Sequence, residues 1–148
     1  MLPCWAVLAA FEAPLEAEFD GAFFQESPIS WAARNSSKPG RPEAESWIIH
    51  AGSSWSREHL EDAPEAVTES LLSAFQSHTK LDTPKPSFLK AHRWRYAATE
   101  KPFSQGYLWD HDKKAGVCGD WCSRSRVEGA YLSGVAVAEA ILQGAVDT

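Results

Sequence analysis

The sequence predicts an α+β protein. Runs of predicted strands lie on either side of one long helix, and a second helix ends the chain. Because the helices are few and separate from the strands, this order fits α+β better than an alternating α/β fold. The chain has 148 residues, of which 44% are apolar and 23% charged, as is ordinary for a soluble globular protein. It is long enough for one domain or for one domain plus part of another.

The first half of the chain contains four predicted strands. Residues 5–11 form an apolar run that is typical of a buried strand. Short strands are predicted at 22–25 and 29–34, and the β-favouring residues at 46–51 predict the fourth. The segment 35–42 is rich in Ser, Pro and Gly and predicts a turn.

A long helix is predicted at residues 64–78, after one helical turn at 54–60. Pro64 suits the first position of a helix. The helical spacing of the apolar residues predicts one buried stripe, formed by Val67, Leu71, Leu72 and Phe75. Residues 79–87 hold two prolines and predict a connector.

The strand predicted at residues 88–97 alternates in character. Alternation places Trp94 and Tyr96, with His92, on one face and Arg93 with Arg95 on the other. An aromatic wall can stack against a flat substrate, and a guanidinium can bind phosphate or carboxylate. Trp94, Tyr96 and Arg95 are therefore candidate substrate-binding residues. A half-buried strand with a solvated basic face is the alternative.

The last third of the chain predicts strands at 107–109 and 116–121, the latter buried, and a helix at 126–143. Ser125 and Glu128 have the spacing of a capping box. Small residues allow a helix to approach its neighbour closely. The predicted packing face of this helix consists of Val127, Ala130, Tyr131, Gly134, Val137, Ala138 and Ile141.

The junction between this strand and helix is a candidate cofactor site. A glycine at a strand end, here Gly119, allows a ligand to approach the backbone, and Asp120 can accept hydrogen bonds from sugar-like hydroxyls. The helix start offers free N–H groups and a positive dipole end, which we assign to the backbone of residues 127–130 rather than to the Glu128 carboxylate. An ordinary strand–turn–helix junction with Asp as a turn residue is the alternative. The candidate cofactor-binding residues are Gly119, Asp120, Trp121, Arg126, Val127, Glu128, Gly129 and Ala130.

Composition argues against several other functions. The net charge is −6 and the 14 basic residues are scattered, which argues against nucleic acid as the main partner. The sequence has no run of 18 apolar residues, so it predicts no membrane span. The apolar start lacks the basic region of a signal peptide. Three cysteines fit a reducing, cytoplasmic setting. Neither the Cys118–Cys122 spacing nor the histidines predict a metal site, and no Gly-x-Ser-x-Gly or P-loop is present.

Several segments together resemble the C-terminal half of renalase-like members of the flavin-containing amine oxidase family. They occur in the family's order, at residues 3–6, 27–41, 55–56, 59–61, 92–97, 118–122 and 126–134. The resemblance implies that residues 1–98 form a β-rich domain that covers the substrate with a mixed, largely antiparallel sheet. It also implies that residues 99–148 form the C-terminal strand–helix segment of a Rossmann-like FAD-binding domain.

The same resemblance implies an FAD-dependent oxidoreductase. Hydride would pass from a dihydronicotinamide-type or amine substrate to the flavin, and electrons would then pass to oxygen. Asp120 would correspond to the acid near the ribityl or phosphate part of FAD, and residues 127–130 to the helix start near the isoalloxazine. The resemblance identifies no catalytic side chain.

Two features depart from the family pattern. The sequence has no Gly-x-Gly-x-x-Gly, and the segment 123–125 is bulkier than the glycine-bearing loop expected there. We therefore expect this chain to bind FAD weakly or not at all without a separate N-terminal half or a homodimer mate. The alternative is a non-catalytic remnant or a binding module for a planar ligand or a protein.

Overall fold

A computed structural model describes residues 1–42 and 44–143. The chain divides into two compact units, one spanning Leu2–Ala97 and the other formed by Met1 with the residues from Ala98 onward. Among the described residues, strands outnumber helices, and four strand pairs are antiparallel. The α+β prediction is therefore confirmed.

The first unit is built on a five-stranded sheet. Its strands are β1 (Leu2–Ala10), β2 (Gly21–Phe23), β3 (Ile29–Arg34), β4 (Ser46–Ala51) and β5 (Phe88–Ala98), in the spatial order β2-β3-β4-β1-β5. β3 pairs with β2 and β4, and β4 pairs with β1, each time antiparallel. The predicted bounds of β3 and β4 are confirmed, whereas β1 begins earlier and β2 ends earlier than predicted.

One helix covers one face of this sheet. It is α2 (Pro64–Thr79), and it follows the short helix α1 (Ser53–Glu58). Phe75 of α2 is fully buried, and its ring centre lies 5.3 Å from that of Trp47. Val67 and Leu71 are buried as predicted, while Leu72 is only half-buried at the margin of the core.

The opposite face of the sheet carries partly exposed side chains. The register pairs Trp31 with His50, and their ring centres lie 5.0 Å apart. Leu8 on the neighbouring strand is 40% exposed. Burial and, secondarily, the charge of Lys38 lower the pKa of His50. The sheet thus has a helix-covered face and a partly exposed face that carries aromatic rings.

A buried carboxylate secures the segment between β1 and β2. Oε1 of Glu45 accepts hydrogen bonds from Trp47 Nε1 at 2.6 Å and from the Leu15 backbone N–H at 3.2 Å. It also pairs with Arg34 Nε at 3.2 Å, while Arg34 donates to the Leu15 carbonyl at 2.7 Å. Glu45 is only 7% exposed, so this network satisfies a charge that would otherwise be costly to bury.

The second unit contains a hairpin and one helix. The hairpin joins β6 (Leu108–Asp110) to β7 (Ala115–Val117), a 3₁₀ turn follows at Asp120–Cys122, and α3 spans Val127–Leu142. The prediction of a buried strand at 116–121 was wrong. β7 is exposed and ends at Val117, because it belongs to a two-stranded sheet in which it pairs with the equally short β6.

The predicted capping box of α3 was also wrong. Arg126 is the N-cap residue, and no side chain caps the helix. The Ser125 hydroxyl instead accepts a hydrogen bond from the Thr99 backbone N–H at 3.0 Å. Ser125 lies one residue before the N-cap position, and its hydroxyl serves the segment around Thr99 rather than the helix.

The packing face predicted for α3 was wrong as well. Val127 and Tyr131 are 91% and 71% exposed, whereas Gly129 and Ser133 are buried. The contact face is rotated from the apolar side toward Gly129 and Ser133, because both meet backbone of the preceding loops. Within the described residues, no helix combines the length and apolar character needed to cross a membrane.

Candidate functional site

The turn predicted to approach a cofactor is held by a buried serine. Ser133 of α3 accepts a hydrogen bond from the Gly119 N–H at 2.9 Å and donates one to the Gly106 carbonyl. It is 1% exposed. Ser133 therefore ties two loops to the helix, a role that sequence reasoning missed because neither loop is near it in the chain.

Gly119 lies directly beside the indole ring of Trp121. A Cβ placed on it would lie 2.5 Å from Nε1 of Trp121. The Trp121 carbonyl in turn accepts a hydrogen bond from the Phe103 N–H at 2.8 Å, and the two rings meet edge to face at 5.9 Å. The space that was expected to admit a ligand at this glycine is thus partly filled by the Trp121 indole. Asp120 stands at the start of the same turn and is half-buried.

The start of α3 forms the second part of the candidate site. A Cβ on Gly129 would lie 2.1 Å from the Arg124 carbonyl oxygen, so the loop crosses directly over this residue. A cavity of about 320 Å³ adjoins the crossing. Its lining brings together three predicted residues, Arg126, Glu128 and Gly129, with Ser123, Arg124 and Leu132. Val127 and Ala130 do not line this cavity and are exposed.

Two basic residues and a helix N-terminus border this cavity, which favours an anion there. Arg124 and Arg126 both line it, and the positive end of the α3 dipole lies at its edge. Glu128 in the first turn offsets part of that charge. The described residues contain no group of three or more His, Cys, Asp or Glu side chains able to hold a metal ion.

The candidate substrate residues of β5 alternate between the faces of the sheet, as predicted. Arg93 and Arg95 both reach Glu61 in the α1–α2 loop. His92 and Trp94 contact each other instead, with ring centres 4.4 Å apart. Trp94 is 54% and Tyr96 77% exposed. The rings are therefore available to a flat ligand, while the Arg95 guanidinium already has a partner.

The ion pair between Arg95 and Glu61 is bidentate. Arg95 Nη1 lies 2.7 Å from Oε1 and Nη2 lies 3.0 Å from Oε2 of Glu61. This hydrogen bonding, aided by the nearby charges of Arg95 and Arg93, lowers the pKa of Glu61. The same contact raises the pKa of Arg95. Sequence reasoning missed Glu61 as a partner because 34 residues separate it from Arg95.

Arg93 is fixed more firmly than Arg95. Its guanidinium carbon lies 5.4 Å from the centre of a Trp5 ring, and its Nη1 donates to the Leu60 carbonyl and to Glu61 Oε2, the latter at 3.0 Å. An open groove of about 510 Å³ runs beside it, lined by Trp5, Pro64 and residues 91–96. Both the basic and the aromatic residues of β5 border this groove.

A comparison with protein families identifies the chain at a coarse level. Residues 15–142 match the model of the flavin containing amine oxidoreductases. The match runs through β2 to β5, α2 and the whole of α3, and so includes both the groove on β5 and the cavity at the start of α3. The chain therefore belongs to the flavin-containing amine oxidoreductase family, a family of flavin-dependent oxidoreductases.

Proposed function

We propose that the chain forms part of a renalase-like, FAD-dependent oxidoreductase. The family match over residues 15–142 supports the flavin-dependent oxidoreductase, and the exposed rings and the arginines of β5 support the renalase-like substrate. Residues 1–98 would cover the substrate, and residues 99–148 would supply the end of a Rossmann-like FAD-binding domain. The division into compact units between Ala97 and Ala98 supports these bounds.

The residues at the start of α3 fit an anionic cofactor. Arg126 lines the cavity there, and the first turn of the helix offers its N–H groups and positive dipole end. We assign FAD contact to the backbone of residues 127–130 and to Gly119, Asp120 and Trp121 in the preceding turn. When bound, FAD supplies the hydride acceptor and passes electrons to oxygen, so the chain's part is to bind and orient.

The exposed rings of β5 fit a planar substrate. Trp94 and Tyr96 present apolar faces on which a dihydronicotinamide ring can stack, and Arg95 carries the charge to hold an acidic group. A dihydronicotinamide dinucleotide combines both chemical features, whereas a simple amine lacks the acidic group. This favours a renalase-like substrate over an amine. A second copy of the chain or a separate polypeptide would complete the flavin site.

A fluorescence titration tests the flavin assignment without requiring tight binding. FAD is titrated with wild type, with Asp120→Ala and with Asp112→Ala, an exposed aspartate in the β6–β7 turn as the matched control. Losing a hydrogen bond from a charged group weakens binding by about tenfold or more, so Asp120→Ala raises Kd while the control does not. Equal affinity of wild type and Asp120→Ala would overturn the assignment of Asp120, whereas binding in none of the three proteins is the result expected if the flavin site needs a separate N-terminal half.

Anaerobic reduction tests the substrate class. The flavin complex is mixed with dihydronicotinamide dinucleotide isomers or with benzylamine, and the visible flavin band is followed. Bleaching by the dinucleotides supports the proposal, and bleaching by the amine alone contradicts it. A bound flavin that neither compound bleaches would favour the non-catalytic binding module.

A further inference from the structure

The two arginines of β5 share a single carboxylate. Arg93 Nη1, Arg95 Nη1 and Arg95 Nη2 all donate to Glu61, at distances of 2.7 to 3.0 Å. Two positive charges therefore meet one negative charge. The cluster of these three side chains keeps a net positive charge, although the net charge of the whole chain is −6. A dianion in place of Glu61 would neutralise both guanidiniums.

The ion pairs of Glu61 are weak enough for an external anion to displace its carboxylate. Its side chain is 69% exposed, compared with 30% for Arg93 and 43% for Arg95. Exposed ion pairs contribute little net free energy because water screens the charges and long side chains lose entropy. Glu61 also belongs to the loop between α1 and α2 rather than to a strand or helix. An external anion can thus compete for its position.

The arginines, in contrast, are positioned before any ligand arrives. The Trp5 ring and the Leu60 carbonyl hold Arg93, and both arginines project from the same face of one strand. The open groove of about 510 Å³ beside them has room for a small phosphate compound. Paired guanidiniums bind phosphate through parallel N–H···O hydrogen bonds, which gives geometric selectivity.

We propose that Arg93 and Arg95 form a phosphate-binding site in which Glu61 is a displaceable internal occupant. The ligand group is a phosphate or diphosphate of a small molecule. The inference that this phosphate is the diphosphate of the dinucleotide substrate rests on the proposed function. The inference that the two arginines bind phosphate does not. Because β5 ends the sheet order, ligand parts beyond the phosphate can reach the rings of Trp94 and Tyr96 along the same groove.

Calorimetric titration of the full chain with inorganic pyrophosphate, in the absence of flavin, tests this proposal. Glu61→Gln removes the competing charge and is expected to tighten pyrophosphate binding by about two- to fivefold. Glu69→Gln, at an exposed position of α2, makes the same change in net charge and leaves the affinity close to that of wild type. Arg95→Gln abolishes the gain when combined with Glu61→Gln, whereas Lys90→Gln on the same strand does not.

Two results would overturn the site. One is equal pyrophosphate affinity of Glu61→Gln and Glu69→Gln, which would make Glu61 only a structural link between the loop and β5. The other is unchanged binding after Arg95→Gln. Titration with a dihydronicotinamide dinucleotide tests whether the bound group is the diphosphate of the substrate. If the dinucleotide binds and Arg95→Gln weakens this binding, the attribution to the substrate is supported. If pyrophosphate binds but the dinucleotide does not, the attribution is refuted. Flavin binding is measured at the start of α3, so a negative result there leaves the phosphate site standing.

Discussion

Replacing Gly129 by alanine tests the close approach at the start of α3. The added Cβ would lie 2.1 Å from the Arg124 carbonyl oxygen, and the backbone N and C of Arg124 lie 3.0 Å away. Real contacts of this kind stay beyond 3.0 Å, so the loop or the helix must move by at least 0.9 Å. Since backbone moves less readily than a side chain tip, we expect Gly129→Ala to destabilise this unit by about 1–3 kcal/mol.

Gly134 on the same helix provides a matched control. No atom lies within 4 Å of a Cβ placed there. Alanine is favoured over glycine in a helix interior by about 1 kcal/mol, so Gly134→Ala is expected to stabilise α3 by up to about that amount. One chemical change on one helix should therefore have opposite signs at two positions.

Amide hydrogen exchange followed by mass spectrometry gives the local measurement. Peptides from α3 should exchange faster in Gly129→Ala and more slowly in Gly134→Ala than in wild type, because exchange reports local opening. Peptides from α2 serve as the internal reference. Slower exchange in both variants would refute the close approach of Arg124.

Three further predictions concern the buried Glu45, the cysteines and His50. Glu45→Ala leaves the half-buried Arg34 without its buried partner and should cost about 3–5 kcal/mol in urea unfolding; a cost below about 1 kcal/mol would contradict the network. Iodoacetamide should label the exposed Cys118 well before Cys4, whose pKa burial raises to about 11, and mass spectrometry would reveal equal labelling if this is wrong. Because the pKa of His50 is lowered in the folded chain, the unfolded chain binds its proton first, and stability should fall as pH decreases below the ordinary value of 6.5. His50→Gln should reduce that loss in urea unfolding at about pH 7 and 5, and an unchanged pH dependence would contradict it.

Local patterns in the sequence predicted several elements well. The strands at 29–34 and 46–51 and the start of α2 at Pro64 depend on residue preferences that act over a few neighbours. The alternation of Arg93 and Arg95 with Trp94 follows from strand geometry alone. These features need no knowledge of what lies across the fold.

The predictions failed where a side chain contacts a group that is distant in the sequence instead of the neighbouring group it was expected to contact. Ser125 has the spacing of a cap, but its hydroxyl bonds to Thr99 across 26 residues. The helix that follows was expected to bury its apolar side, yet Ser133 and Gly129 are buried because they meet loops. A hydrophobic pattern cannot reveal such polar and backbone contacts.

Residue patterns sufficed to predict the α+β class, the long helix α2 and, through motifs in the family's order, the relation to flavin-containing amine oxidoreductases. Only the folded chain shows which charged groups meet: Glu61 with Arg93 and Arg95, and Glu45 with Arg34. The difference lies in the range over which the interactions act along the chain. Backbone preferences are properties of neighbouring residues, whereas the partner of a charge depends on which segments the folded sheet and loops bring together.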